Sequence, residues 1–593
     1  MKPVTIIRVI AVALGLGAVS VWPAVLIDHV LPSAYRVYRA DYLSGLAILR
    51  FMLIGGCVVG VLYARSIAYC FHDPTQSAAA NVPPPWDASW RLGLILITVA
   101  AFAIRLFGIG SSFTSDEVFL VKSIITREPV RAFVHPSGSA HTLHSLLSWL
   151  VTRVTGVSEW SVRLPAMVLG AASAPLAFLV VARRFGTWSG LAAGLLLAVT
   201  PIHIWYSQMA KGNAPLVFFV LLSWLLLQAL TRAWTPWRAV GYLLVLVAAG
   251  LCHLSGIVFV IGQGVALIAA PRAPDRASAR PEFRLRMLGL HLVGLYIIFL
   301  LHSVVAPLIF QAGETVTGKE GTINIWAIMG DTFHWYTALD MHPVWLIPGF
   351  IAFGIGVWRL LRDAPDMLLL AVVPFLVSIA MTATAGLFSH VRYHMFFLPG
   401  LVLILAVGLT EGLRLVGDRR RWFDCAAVLT LAIFMGAAYA GSAVRYFEHP
   451  RSNLKAVAEY LAEHGEGAHV YIAGLNYSGY PVMGLTYYLE NFKVDESLSE
   501  MLATADTNAV VYVGILDPNH FQSSYWPFYV YLQARSRPAA VFECLGVLDQ
   551  HRVKESMVYR LSIDEFRDGM GFARPRMIWG DNWRQTRPRR WKQ

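Results

Sequence analysis

Charge is scarce in this sequence. Only 14% of its 593 residues are Asp, Glu, Lys or Arg, where a soluble globular chain carries roughly a quarter. With 56% hydrophobic residues and a mean hydropathy of +0.56, that shortage excludes a cytosolic enzyme, a disordered chain and a fibrous one. Cysteine is scarce as well: Cys57, Cys252 and Cys425 lie in apolar runs, Cys70 follows one, and Cys544 stands alone. No CxxC pair occurs, so neither a disulfide framework nor a thiolate metal site is indicated. A Gly-rich phosphate loop and an internal repeat are missing too, which argues against nucleotide binding and against the paired-repeat architecture of many transporters.

Long apolar runs are what the chain has instead. A bilayer-spanning helix needs about 20 mostly apolar residues. Runs of that kind cover Val9–Ile27, Leu43–Ala64, Leu92–Ile109, Leu164–Val181, Ser189–Trp205, Ala214–Leu230, Leu254–Ala270, Met287–Phe310, Met367–Leu387, Met395–Leu413 and Cys425–Ala443. Ala239–Leu251 and Val344–Val357 are shorter but bounded by charge. The pattern predicts a polytopic α-helical membrane protein of about 13 transmembrane helices. The first run follows Lys2 and Arg8 but lacks a small-residue cleavage site, so it reads as a retained helix.

Basic residues in short loops set the orientation. With Lys2 and Arg8 inside, the inside loops also carry Arg183-Arg184, Arg232 and Arg238, Arg272 to Arg286, Arg359 and Arg362, and Arg414 with Arg419-Arg420-Arg421. This holds if His141–Val157 is an interfacial amphipathic helix rather than a span. The expectation is a multi-pass inner (plasma) membrane protein with a cytoplasmic N-terminus and a periplasmic C-terminal region. Lys plus Arg exceed the acids by 48 to 36, a formal charge of +12. In a membrane chain that excess points to orientation and anionic lipid, not nucleic acid.

The expected organisation is an accessory transmembrane hairpin at 1–70, a Pro-rich cytoplasmic linker at 71–90, and a membrane domain at 91–443. An extracytoplasmic α/β domain follows at 444–565, then a basic tail at 566–593. In the α/β domain Ser452-Asn453 reads as a helix start, Asn453–His464 as an amphipathic helix, and Ala468–Ala473, Ala509–Ile515, Ala540–Leu545 and Met557–Leu561 as strands. The tail is either solvated or in contact with anionic headgroups.

Three polar clusters fall on the outer side in this topology. One holds Asp116 and Glu117, followed by His135, His141 and His144; a second runs from Trp205 to Asn213; a third from Ser389 to His394. Polar groups converging at one membrane boundary mark a functional site. The acid pair can deprotonate a hydroxyl or hold a divalent cation, or simply be solvated at a helix end. A divalent metal, held by Asp116 with His135 or His141, is one reading; no other cofactor is indicated. Lys211 and Arg392 are suited to phosphate, or else snorkel to headgroups. Trp205 and Tyr206 are substrate contacts or belt aromatics. His253 and His302, at apolar runs, read as satisfied core residues.

The order of these motifs resembles a known family. Asp116-Glu117, then His141, Ser158-Glu159, Arg163-Leu164-Pro165, Arg183-Arg184-Phe185-Gly186, Pro201 to Gln208 and Arg392-Tyr393 with Pro399 are similar to the dolichyl-phosphate-mannose protein mannosyltransferase superfamily. Its bacterial branch includes the aminoarabinose transferase of lipid A. The resemblance covers roughly Leu92–Leu413. It implies the GT-C fold and an inverting glycosyltransferase that moves a sugar from a polyprenyl-phosphate donor to an acceptor hydroxyl on a glycan, lipid or protein. It also implies Asp116 as the catalytic carboxylate, with Glu117 beside it. Lys211 and Arg392 would hold the donor phosphate, and His141, Tyr206, Gln208, Asn213, Tyr393 and His390 would position substrate. The sequence departs from the family where Met209 and Lys211 replace a Glu and an Arg, which puts a two-carboxylate or metal arrangement in doubt. The other readings are an O-antigen-ligase-like transferase, which the Arg-less loop Gln311–Pro343 argues against, a lipid or sugar transporter, and a non-catalytic assembly subunit.

Overall fold

The computed structural model describes residues 3–20, 38–71, 88–135, 141–270, 281–309, 346–385, 391–416, 453–464, 469–473, 487–488, 510–516, 532, 537–545 and 553–571. The expected span Cys425–Ala443, His390, the linker 72–87, the loop 311–343 and the tail from 572 lie outside the described residues. Two compact units emerge. The first comprises 1–107, 127–157 and 161–440; the second comprises 108–126, 158–160 and 441–593.

The first unit is helical. Its long elements are α1 (Pro3–Ser20), α2 (Arg39–Leu62), α3 (Ala88–Leu106), α4 (Thr142–Thr155), α5 (Glu159–Phe185), α6 (Thr187–Val199), α7 (Pro201–Ser207), α8 (Asn213–Arg232), α9 (Pro236–Cys252), α10 (Ser255–Ala269), α11 (Pro281–His302), α12 (Leu346–Asp363), α13 (Pro365–Ala385) and α14 (Leu398–Val416). Among the described residues seven helices are long and apolar enough to cross a membrane, or eight if one bent pair is a single span. The chain is thus a multi-pass membrane protein.

One expected span differs in an informative way. Ser189–Trp205 reads as continuous, but α6 and α7 meet at 60°. Thr200 is extended, with φ −63° and ψ 116°, and Pro201 opens α7. The proline has no amide hydrogen to give and its ring pushes the preceding residue out of the helical region, so the helix must restart there. The run His141–Val157, read as interfacial, forms α4, a helix of 14 residues too short to span.

Buried small residues let the helices approach closely. A Cβ on Gly356 of α12 would collide with the Ile404 carbonyl of α14, and one on Gly408 with the Ala352 carbonyl, the small-residue contact that lets membrane helices pack without bulky side chains between them. The N-terminal pair α1 and α2 is tied to its neighbours by two tyrosines. Tyr42 donates to the Val134 carbonyl at 2.5 Å, and Tyr296 of α11 to that of Met52 at 2.9 Å.

The second unit holds a four-stranded sheet of β1 (His469–Ala473), β2 (Val510–Leu516), β3 (Ala540–Leu545) and β4 (Val553–Ser562) in the order β1-β2-β4-β3. β1 and β2 are parallel, with Val470 opposite Tyr512. β4 is antiparallel to both its neighbours, pairing Tyr559 with Val513 and Lys554 with Cys544. Helix α15 (Leu454–His464) lays Leu454, Val457, Ala458 and Leu461 against Tyr512 and Val558. Three strands match the expected ranges to within a residue; β4 begins four residues early because its ladders also pair Lys554 with Cys544 and Ser556 with Leu516 and Phe542.

Candidate functional site

The break after α6 is built around a buried arginine. Arg105, fully buried at the end of α3, donates to Ser207 Oγ at 3.1 Å, to the Ala101 and Ala198 carbonyls at 3.0 and 3.1 Å, and to His203 Nδ1 at 2.8 Å. The Ala198 carbonyl, in the last turn of α6, is one of those an interrupted helix leaves over. Gln208, also fully buried, spends its amide on the Arg105 carbonyl at 2.9 Å and on that of Phe107. Arg105 and Gln208 thereby lock the turn 208–212 onto α3. Tyr206 is buried within the same break at 2% exposure.

Within this turn the backbone folds tightly enough for Lys211 N–H to reach the Met209 carbonyl at 2.7 Å. A Cβ at Gly212 would overlap the Cys252 carbonyl oxygen, so only glycine lets the turn seat on the end of α9. This contact brings the 252–255 connection beside Lys211. The side chain of Lys211 is 6% exposed and that of Asn213 is 1% exposed. Asn213 opens α8 and donates to the Arg392 carbonyl at 2.9 Å, which fixes the 3-10 segment Val391–Phe397 against the same turn. Asn213 Oδ1 is buried and has no hydrogen-bond partner among the described residues.

At the centre of this group is His253. Its ring lies 5.4 Å from that of His141 and 5.6 Å from that of Tyr393. Arg392 donates to the Tyr393 hydroxyl at 3.3 Å and lies over its ring, 5.2 Å from the centroid. Burial pushes the His253 imidazole down to about 3, with Arg392 and then Lys211 adding to the effect. Burial, His253 and Lys211 likewise hold His141 well below the ordinary histidine value. The two cations, 181 positions apart in the sequence, therefore converge on His253, and Lys211 also acts on the neutral imidazole of His141.

Hydrogen bonding fixes which nitrogen of each ring carries the proton. Ser255 N–H donates to His253 Nδ1 at 3.1 Å; an amide can only donate, so Nδ1 accepts and Nε2 bears the hydrogen. His141 Nδ1 faces the Cys252 carbonyl at 3.3 Å; a carbonyl can only accept, so here Nδ1 bears the hydrogen. His141 also holds a left-handed backbone, with φ 44°. A residue with a Cβ takes that conformation at a cost of about 1–3 kcal/mol, of the kind that collects at functional sites.

The second unit places the acids. Glu117 is 1% exposed and accepts from Thr114 N–H at 2.9 Å and from Thr114 Oγ1 at 3.1 Å. It closes a capping box on the short helix Ser115–Leu120, the same device by which Ser562 and Glu565 start the helix after β4. Asp116, in the first turn of that helix, is exposed. In the same unit Tyr488 accepts from Phe113 N–H at 2.6 Å and donates to Glu159 at 3.1 Å.

Thus His141, Lys211, Asn213, Arg392 and Tyr393 come together in the helical unit. Tyr206 and Gln208 are buried in the helix break, and Asp116 and Glu117 belong to the other unit. His135 is buried at the end of a short turn, where burial and then Arg131 bring it down to about 4. Among the described residues no set of three or more His, Cys, Asp or Glu is placed to hold a metal. His253 is the member that the sequence reading missed. Topology held the signal: it follows the run Ala239–Leu251, which starts from the basic residues Arg232 and Arg238, so it falls on the same side as Lys211.

Residues 135–297, which include His141, Lys211, Asn213 and His253, match the family model described as dolichyl-phosphate-mannose-protein mannosyltransferase. Two proteins of Bacillus subtilis named as mannosyltransferases are similar: YkcB, 32% identical over 161 residues, and YycA, 28% identical over 161 residues. Each alignment covers 26% of this chain, and 22% and 24% respectively of the relative. The chain thus matches about a quarter of these relatives' length or less. Among solved structures, ArnT from Cupriavidus metallidurans bound to undecaprenyl phosphate is similar at 12% identity and a TM-score of 0.44, over 79% of this chain and 97% of that one. The oligosaccharyltransferase of Archaeoglobus fulgidus is similar at 13% identity and a TM-score of 0.44, over 74% and 69%. The motif resemblance to this glycosyltransferase superfamily is matched by the family model in the stretch that builds most of the histidine and lysine cluster.

Proposed function

We propose that the protein is an inverting glycosyltransferase of the GT-C class. It takes a sugar from a polyprenyl-phosphate donor and transfers it to an acceptor hydroxyl on the extracytoplasmic face of the membrane. The observation that carries this reading is the convergence of Lys211 and Arg392 on the buried, neutral His253, which lies between His141 and Tyr393, at the N-terminal end of α8.

The reaction breaks the bond between the anomeric carbon and the phosphate oxygen. Negative charge grows on that oxygen as the bond lengthens, and the phosphate monoester departs on its lipid. Lys211 and Arg392 stabilise the growing charge, and the positive end of α8 adds to them. Fixed cations in a poorly hydrated cleft act here without reorganising. The acceptor oxygen attacks from the opposite face, so one displacement inverts the anomeric centre. Its proton passes to a carboxylate, a role we assign to Asp116. The neighbouring Glu117 is committed to Thr114, whereas Asp116 stands exposed in the first turn of its helix. His141, Asn213 and Tyr393 orient the sugar and phosphate.

Purified protein given a radiolabelled polyprenyl-phosphate sugar and an envelope extract is expected to release lipid phosphate and label an acceptor. Asp116→Asn is expected to abolish transfer while the protein still inserts and keeps its melting temperature. Full activity in that variant removes Asp116 from the mechanism, and no turnover of the labelled donor by the unmodified protein overturns the reading.

A further inference from the structure

At the far end of α8 from Lys211 lies a cavity. Trp224 and Gln228 are 11 and 15 positions beyond Asn213, which at about 1.5 Å per residue puts them about 16–22 Å along the axis. The cavity is lined by these two residues and by Leu227, Leu267, Met287, Met367 and Leu370, an apolar slot between α8, α10, α11 and α13.

Two of the lining residues each keep a polar atom without a partner among the described residues. The Trp224 indole N–H is on a side chain only 1% exposed and has no hydrogen-bond partner among the described residues. One turn on, Gln228 donates its amide to the Val180 carbonyl at 3.0 Å, and its Oε1 is buried with no partner among the described residues. A buried donor and acceptor, adjacent and both unspent, are costly unless something occupies the slot.

Charge surrounds the same cavity. Arg184, Arg284 and Asp366 line it. Arg284 is pinned by the carbonyls of Ile268 at 3.1 Å and Ala270 at 2.5 Å, and Arg184 by that of Asp363 at 3.3 Å. Arg183 and Arg232 end α5 and α8 at this level. Cations therefore outnumber acids around an apolar slot that carries a donor inside it.

We propose that this cavity binds one anionic phospholipid from the leaflet opposite the Lys211 end, with phosphatidylglycerol the favoured headgroup. The phosphate meets Arg184 and Arg284. An acyl chain follows Leu227, Met367 and Leu370. An ester carbonyl accepts from Trp224 N–H, and a glycerol hydroxyl donates to Gln228 Oε1. No covalent step is involved, and the site stands whether or not the protein transfers sugar.

The test is native mass spectrometry of the purified full chain, titrated with phosphatidylglycerol, with phosphatidylcholine and with inorganic phosphate. One phosphatidylglycerol is expected to bind at least tenfold more tightly than phosphatidylcholine. Arg184→Ala combined with Arg284→Ala is expected to erase that preference. Trp224→Phe, which removes one hydrogen-bond donor and little volume, and Gln228→Leu are each expected to weaken the adduct about three- to tenfold. Equal adducts for the two lipids, or unchanged binding in both Trp224→Phe and Gln228→Leu, overturn the proposal. Displacement of the lipid by millimolar inorganic phosphate also overturns it, by making this a small-anion site.

Discussion

Two clusters of basic residues in the helical unit sit in opposite surroundings. At the end where α12 and α14 terminate, Arg359 meets Asp363 at 2.5 Å and Glu411 at 3.7 Å, and Arg414 meets Glu411 at 3.6 Å. Charges cancel there in half-exposed pairs, which contribute little to stability. At the other end burial keeps the His141 and His253 rings neutral, with Lys211 acting on both and Arg392 on His253. The neutral rings add hydrogen-bonding capacity without offsetting the positive potential. The comparison teaches that a cation's surroundings, rather than its presence near a membrane boundary, decide whether it anchors a helix or serves an incoming anion.

The sharpest way to break this contrast is to remove one cation from each end. Lys211→Ala or Arg392→Ala is expected to lower kcat/KM for the lipid-linked donor by about 10²–10³, the scale for losing one preorganised group facing developing charge. Steady-state assays with varied donor check this; a loss confined to acceptor KM would remove the phosphate assignment. Gly212→Ala comes next. Its Cβ overlaps the Cys252 carbonyl, so the turn must shift, at about 1–3 kcal/mol by the scale of overpacking. A lowered melting temperature together with reduced transfer is expected, and a variant unchanged in both would show that the turn is not seated as described.

Acid provides a third test. His253 titrates near 3 in the folded protein, whereas an exposed histidine titrates near 6.5. Below about 6.5 the unfolded chain takes up a proton that the folded one refuses, so this group's contribution is complete above that value and is lost as the pH falls towards 3. Melting curves of the unmodified protein should drop with acid over that window, and His253→Gln should flatten part of the drop. An identical pH dependence in that variant would separate His253 from the cations. The smallest effect belongs to the paired end. Arg359→Ala is expected to cost under about 1 kcal/mol by thermal denaturation and to leave donor KM unchanged.

Much of the helical pattern was legible because span length and apolarity are direct consequences of bilayer thickness. The strand positions were legible for the same kind of reason, as short β-branched and aromatic runs bounded by polar chain. Lys211 and Arg392 could be paired in advance because topology alone puts both at one boundary. What escaped were local devices that override composition. Thr200-Pro201 is a helix start set inside an apolar run, so a single span was read where the chain bends. Thr114-Ser115-Asp116-Glu117 carries the Thr-x-x-Glu spacing of a capping box, which turns Glu117, expected beside Asp116 at the site, back onto Thr114. His253 was hidden by the apolar residues around it. Its role rests on Gly212 and Cys252 meeting, a contact between segments forty positions apart that no local pattern reveals.

The seating of Gly212 on Cys252 has a mechanical corollary. Lys211 is carried on a turn whose next residue, Gly212, abuts the terminus of α9 directly. A tilt or axial slide of that helix is transmitted to the backbone of the turn that carries the lysine. Thickness or lateral pressure in the surrounding bilayer, which sets such tilts, is thereby coupled to the position of the lysine.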